Sequence, residues 1–158
     1  MIIYCDTSAL VKRYFQEAGT ESVQKIFERA KIITISQIGF IETISAFYRK
    51  QRSEPVSSRK FNSLIRNFKK DWKSLHTIVL RDQIFVKAEQ LIMKYFLRSY
   101  DAIHLTSAVI VQSELKTQLH FIASDIHLLK AAQSEGFHIL NPETDPSFKD
   151  ALNNSEIP

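Results

Sequence analysis

The chain has 158 residues, 44% hydrophobic and 24% charged, with a net charge of +4. That length can bury a proper core as one domain, and no apolar run approaches the ~20 residues that a membrane-crossing helix needs. The single cysteine, Cys5, allows no internal disulfide, and the N-terminus lacks the basic, apolar and small-residue order of a secretory leader, so a reducing cytoplasmic setting is expected.

Ile2, Ile3, Tyr4 and Cys5 run straight into Asp6, Thr7 and Ser8, which reads as a buried strand feeding a helix. Thr7 or Ser8 can cap that helix, whose apolar positions are Ala9, Leu10, Tyr14 and Phe15. Gly19 and Thr20 punctuate the start of a second helix reaching about Ala30. Residues 32–36 are β-branched and apolar, a second strand. Residues 37–52 have Ile38, Ile41, Ile44, Phe47 and Tyr48 at helical spacing, with Glu42 among them. Pro55 breaks the pattern, and Ser57 or Ser58 starts a helix with Phe61, Leu64, Ile65, Phe68 and Trp72 on one stripe. A short third strand is expected over 76–80. Asp82 can then cap a helix to about Phe96, with Phe85, Ala88, Leu91, Ile92 and Tyr95 inward.

Arg98-Ser99-Tyr100-Asp101 opens a strongly apolar helix that carries His104 and runs to about Leu115. Residues 119–123 form a fourth strand that ends in Ser124-Asp125, a helix continues to Glu135 and Gly136 stops it, and 137–140 form a fifth strand. Strands alternating with helices predict an α/β fold with a mostly parallel sheet of about five strands and helices on both faces. The domain is expected over 1–142, with a loose tail over 143–158.

Charge is unevenly spread. From Arg49 to Lys73 there are nine basic residues against Glu54 and Asp71, so this window carries +7 and the remainder −3. An anionic partner such as nucleic acid fits that asymmetry, and so does a solvated helical face. Three glycines leave no G-x-G-x-x-G and no P-loop, which disfavours nucleotide binding of those kinds.

Asp6 and Asp125 both fall at the carboxyl ends of expected parallel strands, on the edge of the sheet where ligands gather. A helix cap is the plain alternative for each. Asp101 lies near a helix start that packs close to the sheet. Glu42 sits in a largely apolar helix and needs a partner or a ligand. His104, three residues past Asp101, reads first as a hydrogen-bonded structural residue. Carboxylates gathered at one point repel by about 4 kcal/mol per pair at ~4 Å in an effective dielectric of 20. A proton or a cation relieves that, and oxygen-only donors favour Mg²⁺ or Mn²⁺ over Zn²⁺, as one ion or two.

The ordered set Tyr4-Cys5-Asp6-Thr7-Ser8-Ala9-Leu10, Glu42, Ser99-Tyr100-Asp101-Ala102-Ile103-His104-Leu105 and Ala123-Ser124-Asp125 resembles PIN-domain ribonucleases, most closely VapC toxins of toxin–antitoxin pairs. The resemblance spans residue 2 to about 140. It implies a three-layer α/β/α sandwich and a metal site at Asp6, Glu42, Asp101 and Asp125. Asp6 and Asp101 would be the most direct ligands, with Thr7, Ser8 and Ser124 as supporting hydroxyls. It further implies hydrolysis of RNA to a 5′-phosphate and a 3′-hydroxyl, a cognate antitoxin and a homodimer. A receiver domain would need an acid beside Asp6 and a lysine after the last strand, where Asn141 stands. An aspartyl phosphatase would need an acid in place of Ser8. An RNA-binding PIN-like module with weak or no catalysis is the remaining alternative.

Overall fold

The structure, a computed structural model, describes residues 1–144. The tail expected over 143–158 therefore lies outside the described residues except for its first two.

Strand β1 (Ile2–Cys5) leads into a one-turn helix α1 (Thr7–Leu10), a 3₁₀ turn (Val11–Arg13) and α2 (Thr20–Arg29). Then come β2 (Ile32–Ser36), α3 (Gly39–Ser53), α4 (Ser58–Trp72) and β3 (His76–Ile78). The second half is α5 (Asp82–Tyr95), α6 (Ser99–Leu115), β4 (His120–Ile122), α7 (Ile126–Ser134) and β5 (His138–Leu140). The five strands are parallel, in the order β3-β2-β1-β4-β5.

Strand side chains alternate between two cores, as the two-residue pleat requires. Ile3 and Cys5 of β1 join Leu10, Ile26, Ile35, Phe47 and Phe68 on the face covered by α1 to α4. Tyr4 points to the other face, with Leu91, Leu105, Phe121 and Leu128, under α5 to α7. Both faces are buried, so the central strand reads as an unbroken apolar run rather than an alternating one. Helix α6 packs on α5 and on β2. Its residues Ala102 to Ala108 are buried without a gap, which is why it lacks a polar face.

Several local readings differ from the structure. Asp6, not Thr7 or Ser8, caps α1: its side chain accepts the Ser8 N–H. Asp82 lies inside α5, whose cap position is held by Arg81 with no side-chain bond. On α5 the buried positions are Ile84, Ala88 and Leu91; Phe85 is 51% exposed and Ile92 37%. On α3, Ile41 and Tyr48 point outward at 61% and 57% exposure. In each helix the apolar residues outnumber the one stripe that packing can cover, so periodicity alone admits two phases. Just past β5, Glu143 pairs with Lys12 at 2.7 Å. Gly19, at φ 89, lets Pro142 approach so closely that a Cβ there would lie 2.9 Å from its carbonyl carbon.

Candidate active site

The chain leaves β1 in one direction, to β2 and β3, and returns to β1's other side as β4. The carboxyl ends of β1 and β4 therefore flank the point where the strand order reverses, the usual crevice for ligands in such sheets. Asp6 and Asp125 follow those two strands. A cleft of about 530 Å³ opens there, lined by Asp6, Thr7, Ser8, Glu42, Arg49, Arg98, Asp101 and Asp125 among others.

Asp6 is 6% exposed. Its Oδ2 accepts the Ser8 N–H at 2.9 Å and the Ser8 hydroxyl at 2.6 Å. Ser8 Oγ in turn accepts the Ser124 N–H at 2.9 Å, so one hydroxyl ties the ends of β1 and β4 together. Ser124 contributes through its backbone, and it does not line the cleft.

Glu42 arrives from the first turn of α3. Gly39 makes this approach possible: a Cβ there would lie 2.7 Å from Ile35 Cδ1 and 3.2 Å from Thr7 Oγ1. Glu42 Oε2 takes the Thr7 hydroxyl at 2.8 Å and His104 Nε2 at 2.6 Å. Burial pushes the Glu42 carboxyl pKa up, but the hydrogen bond and charge of His104, with Thr7, outweigh it and hold it below the ordinary value. Burial likewise pushes His104 down, while Asp6, Glu42 and Asp101 lift it above its ordinary value.

Asp101 stands in the first turn of α6, and Asp125 caps α7 by accepting the Leu128 N–H at 3.0 Å. Arg98 bridges the two, with Nε to Asp101 Oδ2 at 2.7 Å and Nη2 to Asp125 Oδ2 at 2.7 Å. Burial nevertheless raises the Asp101 pKa. Arg98 opposes that shift, and the neighbouring charges of Asp6 and Asp125 add to it.

Of the seven site residues named from sequence, all but Ser124 line one cleft. The donors are carboxylate and hydroxyl oxygens with no thiolate, a set that suits a hard divalent cation. Asp6 and Asp125 push the Asp101 pKa the same way as burial does, a crowding of acids that a cation would relieve. Among the described residues, however, no three His, Cys, Asp or Glu side chains stand arranged to hold one ion. The partners explain this: Arg98 holds Asp101 and Asp125, while Thr7 and His104 hold Glu42. Arg98 was not singled out from sequence. Its signal was there, a cation one helical turn before Asp101.

Fold and cleft together define a parallel α/β protein with four carboxylates gathered at the switch point of the sheet. The PIN domain family model matches residues 3–134, and the chain belongs to that family. Two curated relatives are each 24% identical over 110 residues, covering 70% of this chain and 76% of the relative. They are Ribonuclease VapC45 of Mycobacterium tuberculosis (strain CDC 1551 / Oshkosh) and Ribonuclease VapC49 of Mycobacterium tuberculosis (strain ATCC 25618 / H37Rv). Three solved structures share the fold. A toxin–antitoxin complex from Klebsiella pneumoniae matches at TM-score 0.61 and 15% identity, over 89% of this chain and 97% of that one. PAE2754 from Pyrobaculum aerophilum matches at 0.61 and 18%, over 96% and 93%. FitAcB from Neisseria gonorrhoeae matches at 0.62 and 15%, over 90% and 98%. Among the described residues no helix is long and apolar enough to cross a membrane.

Proposed function

We propose that this chain is a metal-dependent endoribonuclease, the toxin of a type II toxin–antitoxin pair, acting in the cytoplasm. The observation that carries the reading is the convergence of Asp6, Glu42, Asp101 and Asp125 on one cleft from four separate elements. The ribonuclease relatives support the substrate class.

Asp6, Glu42, Asp101 and Asp125 would hold one or two Mg²⁺ or Mn²⁺ ions, which when bound supply an acidified water and charge neutralisation at the scissile phosphate. Ser8 fixes the Asp6 carboxylate, and Thr7 fixes Glu42. Arg49 lines the cleft with a guanidinium that can meet phosphate oxygens bidentately, while that of Arg98 is held by Asp101 and Asp125. A shallow groove of about 690 Å³ shares Val11, Ala46 and Arg49 with the cleft and adds Lys50 and Arg52, a basic path for the RNA backbone. The products carry a 5′-phosphate and a 3′-hydroxyl. A cognate antitoxin covers the cleft, and a homodimer would bury part of the apolar face that α5 exposes at Phe85, Val86, Met93 and Phe96.

Asp101→Asn should abolish cleavage of a fluorogenic RNA in Mg²⁺ or Mn²⁺ with its circular dichroism unchanged, and EDTA should stop the wild type. Wild-type cleavage by Asp101→Asn, or cleavage that persists in EDTA, would remove the metal assignment. The grip of Arg98 on Asp101 and Asp125 favours a second reading, an RNA-binding PIN-like module with weak or no catalysis. Tight RNA binding without turnover across a metal titration would select it.

A further inference from the structure

Beneath the four carboxylates runs a buried line of hydrogen bonds that begins in the sheet and ends on Glu42. The Ser36 N–H donates to the Tyr4 hydroxyl at 3.0 Å. That hydroxyl lies 3.0 Å from His104 Nδ1. His104 Nε2 then meets Glu42 Oε2 at 2.6 Å. Tyr4 is fully buried and His104 is 1% exposed. A carboxylate can only accept, so Nε2 carries the proton toward Glu42, whichever way the Tyr4–Nδ1 proton sits. Thr7 donates to the same oxygen. Both bonds grip Glu42 by Oε2, and among the described residues no hydrogen bond reaches Oε1.

One nitrogen of His104 is braced by Tyr4, itself stacked on Phe121 and bonded to β2, and the other is aimed at the Glu42 carboxylate in the cleft, with Thr7 Oγ1 at 3.3 Å and Asp6 Oδ1 at 3.7 Å beside it. The same helix, α6, carries Asp101 one turn earlier, so a single rigid rod sets both a candidate ligand and the orienter of another. Carboxylates that bind metal ions are themselves held and oriented by hydrogen-bond partners in an outer layer.

We propose that His104, braced by Tyr4, is a positioning residue that locks Glu42 by Oε2 so that Oε1 faces the cleft for a cation. The inference rests on the nuclease reading of the four acids and adds to it a residue that touches neither substrate nor metal.

The test is Mn²⁺ binding to RNA-free protein, followed by electron paramagnetic resonance, beside kcat and KM for RNA. His104→Leu should weaken Mn²⁺ binding about ten-fold or more and lower kcat in parallel, with little change in KM. His104→Gln, which keeps an N–H donor, should restore much of both. Tyr4→Phe, which removes only the hydroxyl, should give a smaller loss in the same direction and keeps the test readable if His104→Leu does not fold. In a Glu42→Ala background, His104→Gln and Tyr4→Phe should cost nothing further. Wild-type Mn²⁺ affinity and kcat in both Tyr4→Phe and His104→Leu, or equal losses with and without Glu42, would overturn the inference. Wild-type Mn²⁺ binding untouched by Asp6→Asn and Asp101→Asn would overturn the nuclease reading instead.

Discussion

Asp6 performs two tasks with one carboxylate. Its Oδ2 closes the first turn of α1, and its Oδ1 lies 3.7 Å from His104 Nε2, inside the cleft. Asparagine caps a helix about as well as aspartate but carries no charge. Asp6→Asn should therefore change stability by under about 1 kcal/mol, while lowering cleavage by about 100-fold or more, the loss of roughly 2.7 kcal/mol of charge stabilisation. A large drop in melting temperature with little loss of cleavage would make Asp6 a cap only. In the sequence, Asp6, Thr7 and Ser8 all stand where a cap of α1 can lie. The structure shows the cap and the cleft sharing one side chain, which local spacing could not separate. At the opposite edge of the sheet, His120 lies with its ring 5.3 Å from that of His138. Burial first, then His138 and the terminal ammonium, press its pKa below the ordinary value. An unfolded histidine protonates near pH ~6.5, so between that value and the lower folded pKa the unfolded state holds more protons, and stability falls as pH falls. His120→Gln should flatten that acid limb in melting temperatures taken from about pH 8 to about pH 5. An equal decline in both proteins would clear His120 of the effect.

Helix α3 delivers Glu42 because its first residue has no side chain. The Cβ of an alanine at Gly39 would press on Ile35 and on Thr7 Oγ1, the group that fixes Glu42. Gly39→Ala should lower stability by about 1 kcal/mol, overpacking being partly offset by helix propensity, and should reduce cleavage by moving the Thr7–Glu42 pair. Unchanged cleavage would show that the approach of α3 is not critical. From sequence, Gly39 was unremarked: nothing in its neighbours says that a helix start must lie against a strand. Helix α5 teaches the complementary point. Phe85 and Ile92 are as apolar as Ile84 and Leu91, yet only the latter pair is buried. Helical spacing supplies the period, whereas the phase depends on where α6 lies. The αL turn at Phe96, φ 55, redirects the chain there and leaves that ring 85% exposed.

Across the molecule, charge is divided as the sequence implied: acids converge in the cleft, and the basic window lies on α3 and α4. Of its nine cations all but Lys50 are exposed. Lys50 pairs with Glu17 and Glu54. If RNA follows the groove of Arg49 and Arg52, engaging about three phosphates of a single strand gives a log–log salt slope near −2 for RNA affinity, and Arg52→Gln lowers its size by about 0.7. Binding isotherms over a salt series check this, and a slope indifferent to Arg52 would take the RNA path elsewhere. The alternation of strands and helices, the parallel sheet, the acids that end β1 and β4, and the family itself were legible in one dimension. The fold features follow from local periodicity or from residues that directly terminate an element, and the family from the resemblance that the ordered set of motifs carries. The bridge of Arg98 across Asp101 and Asp125, the line from Tyr4 through His104 to Glu42, and the buried phase of α5 were decided only in three dimensions. They join side chains separated by up to 100 residues, and which partners meet depends on how whole elements pack, information that no single stretch of sequence carries.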